Sequence, residues 1–229
     1  MSKRMDAARK LVEPRKLYKI PDAIEILKQT PAPKFDETVE LALAFDVDPK
    51  QSDQNVRGTV VLPHGTGKTV RVLVFAKGDQ ERQAKEAGAD VVGSEELIAK
   101  VEAGWLEFDA IVATPDMMRE VGKLGRILGP RGLMPSPKAG TVTMDVARAV
   151  REVRQGKVEF KLDKQGDIHL GVGKRSFSTE HLTANLETVM EAVWKAKPSA
   201  AKGKYVRNAV VSSTMGPGLR LDPTEGKRE

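Results

Sequence analysis

The run HGTGKTVRVLVF, His64 to Phe75, decides how this chain of 229 residues divides. Its first half ends in Gly-Lys-Thr, which invites a phosphate-binding loop. Such a loop needs a glycine five places before the Gly-Lys pair, and here Leu62 stands there. It also needs a helix next, so that N–H groups at the helix N-terminus meet the phosphates. In place of a helix comes Val70 to Phe75, short and apolar, which reads as a buried strand. Gly65 and Gly67 therefore read as a tight crossing from one domain to another.

Beyond the crossing, strand and helix alternate. Asp79 to Ala87 reads as a helix ended by Gly88, and Asp90 to Val92 as a short strand. Ser94 is expected to cap a helix through Ala103, with Gly104 as its stop. Asp109 to Ala113 reads as a third strand, Pro115 to about Val121 as a helix, and Met144 to Arg154 as another. Short apolar strands alternating with helices predict a Rossmann-like parallel α/β domain over residues 67–156. Its first strand-to-helix turn, Ala76-Lys77-Gly78-Asp79, lacks the GxGxxG that a dinucleotide requires.

Within that domain lies GKLGRILGPRGLMPSPKAGTVT, Gly122 to Thr143, with no acid between Glu120 and Asp145. Its glycines and prolines exclude a long helix or a central strand. Leu124, Ile127, Leu128, Leu133 and Met134 are too apolar for a solvated linker. An ordered loop is expected, pinned by those residues and pointing Arg126, Arg131 and Lys138 outward.

The flanks have a different rhythm. Met5 to Val12 and Pro21 to Leu27 read as short helices. In Glu37 to Asp46, Val39, Leu41, Leu43 and Phe45 alternate with Thr38, Glu40, Ala42 and Ala44, a strand with one covered face. Arg57 to Leu62 is a second strand. After Gly156, Lys157 to Leu162 and Asp167 to Val172 read as a hairpin around Lys164-Gln165-Gly166. Thr179 to Lys195 has the spacing of one long amphipathic helix, and Tyr205 to Thr214 and Leu219 to Leu221 read as extended. Residues 1–65 offer two strands and two short helices, too little to bury a core alone, and residues 157–229 hold the complementary parts. Residues 1–66 and 157–229 are therefore expected to form one discontinuous α+β domain, into which the α/β domain is inserted. Gly65, Gly67 and Gly156 at the two crossings are candidate hinge residues.

Composition narrows the chemistry. The net charge is +6 with pI near 9.4, and most of the surplus falls on the terminal segments. There, Lys195, Lys197, Lys202, Lys204, Arg207 and Arg220 occur with no acid between Glu191 and Asp222. Basic charge suits a polyanion. The absence of cysteine removes thiolate catalysis and thiolate metal sites. The histidines His64, His169 and His181 have no metal-ligand spacing, and no acid–base or nucleophile constellation appears. No metal or cofactor is expected. The N-terminal MSKRMDAARKLVEPRK has no apolar export core, and no segment is apolar enough for a membrane.

Four runs carry a family resemblance: GRILGPRGLMPSPKAGTV (Gly125–Val142), KFDETVEL (Lys34–Leu41), SDQNVRGTVVLPHGTGK (Ser52–Lys68) and TMGPG (Thr214–Gly218). Together they resemble the ribosomal protein "L-one" family in its bacterial form, in the family's order and over nearly the whole chain. The resemblance implies a non-enzymatic protein of the large ribosomal subunit that binds large-subunit rRNA at the mobile lateral stalk. It implies assistance to exit-site tRNA movement and release, and repression of its own mRNA. It places RNA binding on the terminal domain. The matching positions are Lys34, Phe35, Thr38 and Glu40; His169, Gly173, Lys174 and Ser176; and Thr214, Met215, Gly216 and Pro217. A monomer is expected when the protein is free, in the cytoplasm or on the ribosome.

Residue chemistry is compatible with that implication. A hydroxyl, a flexible apolar side chain and bare backbone at Thr214-Met215-Gly216 can hydrogen-bond a ribose 2′-OH while shielding the contact from water. With 4% aromatic residues, base stacking is not the expected mode. Two other readings remain: a nucleotide-dependent enzyme built on the inserted domain, and a non-specific RNA chaperone acting through charge.

Overall fold

The computed structural model describes residues 3–49, 51–199, 201 and 203–226. The chain forms two compact units, Met1–Gly67 with Val158–Glu229, and Lys68–Lys157. Lys202, part of the basic run between Glu191 and Asp222, lies outside the described residues.

The first terminal segment contains α1 (Lys3–Lys10), α2 (Ile20–Gln29), β1 (Thr38–Phe45) and β2 (Arg57–Val61). Pro21 in the first turn of α2 lacks only an N–H that the helix would leave unpaired. In β1 the alternation is realised: Val39, Leu41, Leu43 and Phe45 are buried and Glu40 is exposed.

The inserted segment contains β3 (Val72–Phe75), α3 (Asp79–Glu86), β4 (Val91–Gly93), α4 (Glu95–Glu102), β5 (Ala110–Ala113), two four-residue helices, α5 (Met118–Val121) and α6 (Gly125–Leu128), and α7 (Val146–Arg154). The three strands form a parallel sheet in the order β4-β3-β5. Alternate β3 residues serve opposite faces. Leu73 and Phe75 pack with Leu97, Ile98 and Val101 of α4, whereas Val72 and Val74 pack with Ala84 of α3 and Val146 and Val150 of α7. Burial on both faces is why these strands read as continuously apolar. Ser94 does occupy the N-cap of α4, but its side chain makes no capping bond. Asp145 caps α7 by accepting from the Arg148 N–H at 3.1 Å.

The returning segment contains β6 (Lys157–Lys161), β7 (Asp167–Lys174), α8 (Thr179–Lys195), β8 (Val206–Ser213) and β9 (Leu219–Leu221). The expected hairpin between β6 and β7 does not form. β6 pairs with β2, and β7 joins an antiparallel sheet ordered β7-β1-β8-β9. Burial explains the choice. Ile168, Leu170 and Val172 of β7 share a core with the inward residues of β1, while β6 buries only Phe160. One Asp163 oxygen accepts the N–H groups of Gln165 (2.7 Å) and Asp167 (2.9 Å), so the connection turns tightly without strand pairing. α2 and α8 supply Ile24, Leu27, Leu182, Leu186, Val189 and Met190 to the same core. Each such side chain contributes about 1.5–3 kcal/mol through burial.

At the first crossing, the buried amide of Asn185 holds the backbone. It donates to the carbonyls of Gly65 (3.0 Å) and Val172 (2.8 Å) and accepts from the His64 N–H (3.1 Å). His64 also stacks on His181 at 3.8 Å. Gly67 comes next with φ 72°. At the second crossing Gly156, φ 97°, donates its N–H to Val153 and ends α7.

Candidate functional site

The terminal unit gathers most of the candidate RNA-binding residues at one end of its four-stranded sheet. β1 begins at Thr38, where it lies opposite Lys174 of β7, and Val39 lies opposite both Gly173 and Ser213. Antiparallel pairing thus brings the end of β7 and the end of β8 to either side of the start of β1. The three sequence runs around positions 34–40, 173–176 and 214–217 meet there for that reason.

Thr38 and Thr214 are latched together. The Thr214 hydroxyl accepts from the Thr38 N–H at 3.0 Å and lies 3.3 Å from the Thr38 carbonyl, to which it donates. The Thr214 N–H donates to that carbonyl at 3.1 Å. The hydroxyl therefore keeps one acceptor position for an incoming group, and its proton is already used. Lys174 donates its Nζ to the Thr38 hydroxyl at 3.0 Å, leaving two ammonium protons.

Next to this latch two large apolar side chains face solvent. Phe35 is 52% exposed and Met215 50% exposed. The Met215 N–H donates to Glu37 at 2.9 Å, which ties the residue to the segment bearing Phe35. Ser176 is tied to the same segment: its hydroxyl donates to Asp36 at 2.7 Å and its N–H at 3.1 Å. Lys34 is exposed, and Pro217 is half-buried. Glu40 lies exposed between Gly171 and Ser212, so no neighbouring side chain shields it on the Gly171 side. Gly216 leaves no room for a side chain, since a Cβ there would come 2.4 Å from the Ser213 Oγ. That hydroxyl is buried and has no hydrogen-bond partner among the described residues.

Two positions are placed differently from the rest. Gly173 is buried and serves the packing around Leu182 and Phe177. His169 is exposed but lies opposite Ala42, four residues along from Thr38, or about 13 Å at the rise of a strand. Its neighbours are Asp163 and Asp167, with ligand atoms of all three within 4.8 Å of one another. The Asp163 carboxyl is held below its usual range by N–H donors, that of Asp167 foremost. Two anionic neighbours make the His169 position a poor place for a phosphate.

Sequence reasoning missed the groups beneath the surface. Glu37 is completely buried and paired with Arg175 at 2.6 Å. Arg175 follows Lys174 in a basic pair at the end of β7, yet its side chain is only 12% exposed. Arg4, from α1, donates to the Met215 carbonyl at 3.0 Å. No spacing rule links positions 4, 37, 175 and 215. The sheet register brings 37, 175 and 215 together, and the packing of α1 adds Arg4.

In the inserted unit, the segment from Gly122 to Thr143 is more helical than its breakers suggest. Turns of 3-10 helix at Gly122–Leu124 and Pro137–Ala139 flank α6 and the glycine-rich stretch. Each piece stays within the few residues that glycine and proline permit. Leu124 and Leu128 are fully buried, and Arg126, Arg131 and Lys138 are exposed. The segment ends by bridging to β5, where the Ala113 N–H donates to Thr141 and the Thr143 N–H to Ala113.

Comparison with known proteins gives a consistent picture. A family model described as the ribosomal protein L1p/L10e family matches residues 27–217. The large ribosomal subunit protein uL1 of Protochlamydia amoebophila (strain UWE25) is 58% identical over 224 residues, covering 98% of this chain and 95% of that protein. The protein of the same name from Kosmotoga olearia is 58% identical over 221 residues, covering 96% of each.

Proposed function

The chain belongs to the ribosomal protein L1p/L10e family, and from that premise we propose that its terminal unit grips structured large-subunit rRNA through the Thr38–Thr214 latch and the exposed Phe35 and Met215. Membership makes the protein a structural component of the large ribosomal subunit and not an enzyme, with rRNA as its implied partner. The observation that carries the finer reading is the convergence of Phe35, Thr38, Glu40, Lys174, Ser176, Thr214 and Met215 at one sheet end, with both large apolar side chains outside. Such a surface suits sugar and shape recognition: the free acceptor position on Thr214 and the Glu40 carboxylate can take 2′-OH donors. Lys34 and Lys174 supply charge for phosphates.

We also propose, from the sequence resemblance, that the protein sits on the lateral stalk, assists exit-site tRNA movement and release, and represses its own mRNA through an rRNA-like site. Arg126, Arg131 and Lys138 are proposed as a second RNA contact, and Gly65, Gly67 and Gly156 as hinge positions. Of the three glycines, Gly67 adjoins the unit boundary and has no hydrogen bond from Asn185.

Filter binding to a large-subunit rRNA fragment tests the central reading. Met215→Asp is expected to lower affinity by tenfold or more, and Thr214→Ala by a smaller factor. One shielded hydrogen bond corresponds to roughly 1–3 kcal/mol. Wild-type affinity in a folded Met215→Asp protein would remove this surface from RNA binding.

A further inference from the structure

Both backbone polar groups of Met215 are held by charged side chains from distant parts of the terminal unit. Its N–H donates to Glu37 Oε1 at 2.9 Å, and its carbonyl accepts from Arg4 Nη2 at 3.0 Å. The other Glu37 oxygen accepts from Arg175 Nη1 at 2.6 Å. Arg175 Nη2 donates to the Lys28 carbonyl at 3.0 Å and to the Thr30 carbonyl, and the Arg175 N–H donates to the Glu37 carbonyl at 2.8 Å. Arg4 Nη1 donates to the Pro31 carbonyl at 3.3 Å. One buried carboxylate thereby joins the end of α2, the start of β1, the loop after β7 and the turn after β8.

Stability alone does not explain this arrangement. A buried ion pair loses much of its attraction to desolvation, and an apolar pair of similar volume often serves the fold as well. An apolar pair cannot accept the Met215 N–H or fix the turn's direction. Glu37, with no exposed surface, cannot touch a ligand. Resting on the RNA-binding reading of this surface, we propose that Glu37, Arg175 and Arg4 are positioning residues for RNA binding. They hold the Met215 main chain in place before RNA arrives, so that ordering the turn is not charged against binding.

The test measures binding of an rRNA fragment over a range of KCl concentrations, with unfolding followed in parallel. Glu37→Gln keeps the shape but sets an amide NH2 against a donor, either Met215 N–H or Arg175. Arg4→Lys keeps the charge at a half-buried site and loses the fork to Met215 and Pro31. Affinity is expected to fall about tenfold in Glu37→Gln, the order of one charge-assisted hydrogen bond, and by a smaller factor in Arg4→Lys. The salt slope stays that of the wild type in both, because no phosphate contact is removed. The methionine ε-methyl NMR signal of Met215, assigned by its loss in Met215→Asp, should shift in both free variants. Wild-type affinity in folded Glu37→Gln overturns the proposal. If Glu37→Gln does not fold, Arg4→Lys decides, and wild-type affinity with an unmoved Met215 signal overturns it. A shallower slope in Arg4→Lys makes Arg4 a direct phosphate contact and removes it from this role. Should Met215→Asp itself bind normally, the fault lies with the RNA reading of the turn rather than with its support.

Discussion

Two segments of this protein look alike as letters and differ as physical objects. The turn Thr214–Gly218 and the loop Gly122–Thr143 are both rich in glycine and proline, and neither contains an acid. The turn is anchored by directional bonds from Glu37 and Arg4 and shows solvent an apolar side chain, Met215. The loop is anchored by its own buried Leu124, Leu128 and Ala139 and shows solvent Arg126, Arg131 and Lys138. These three cations form no ion pair among the described residues. Hydrogen bonds to charged groups fix an orientation, whereas apolar burial fixes a location and leaves exposed side chains free to rotate. The first arrangement suits a partner read by shape and sugar. The second suits a partner read by phosphate charge.

The largest effect that would break this comparison lies in the loop. Leu128→Ala should destabilise the inserted unit by about 2–5 kcal/mol, the cost of lost burial plus the cavity left behind. Hydrogen exchange at the β3 and β5 amides reads the loss. If the turn is anchored independently, rRNA affinity changes little under conditions where the variant stays folded. A parallel loss of affinity would show that apolar anchoring of the loop matters to the turn as well.

A paired glycine substitution sharpens the contrast. Gly216→Ala drives a Cβ to 2.4 Å from the buried Ser213 Oγ. Either the Ser213 hydroxyl rotates away or the turn shifts; where the turn shifts, affinity should fall by about tenfold, comparable to losing one well-placed hydrogen bond. Gly132→Ala meets open space but sits at φ 70°. It should cost on the order of 1 kcal/mol in stability through backbone strain, with affinity near that of the wild type. Equal affinity losses in the two variants would erase the distinction between the segments.

The contrast also marks what a sequence can disclose. Periodicity locates α8 at Thr179–Lys195 and the covered face of β1, because both signals repeat over many residues and a single core enforces them. The parallel sheet is legible because strands buried on both faces must be apolar throughout. The partner of β7 is not legible: a short turn permits a hairpin, and only the shared burial of Ile168, Leu170 and Val172 with β1 decides against it. The outward members of the site, Phe35 and Met215, stand in distinctive runs. Their supports, Glu37, Arg175 and Arg4, carry ordinary surface letters; the burial of Glu37 and Arg175 follows from the pairing of β1 with β7, and Arg4 arrives from α1. Conversely, Thr214 reads in sequence as a free hydroxyl and in the fold is largely committed to Thr38.

The smallest expected effect belongs to the loop cations. Replacing Arg126, Arg131 and Lys138 together with Gln removes three charges without touching Leu124 or Leu128, so the fold should persist. If one of these side chains meets a phosphate, affinity for rRNA should fall less than tenfold at moderate salt. The slope of log affinity against log salt should become shallower by about 0.7–0.9 for each phosphate no longer neutralised. Discrimination between rRNA and an unrelated structured RNA should stay as it was, because phosphate contacts carry no sequence information. A changed discrimination ratio would mean that the loop reads more than charge. An unchanged slope would leave the loop a packed connection whose cations face only water, with RNA binding confined to the surface that Glu37 and Arg4 hold in place.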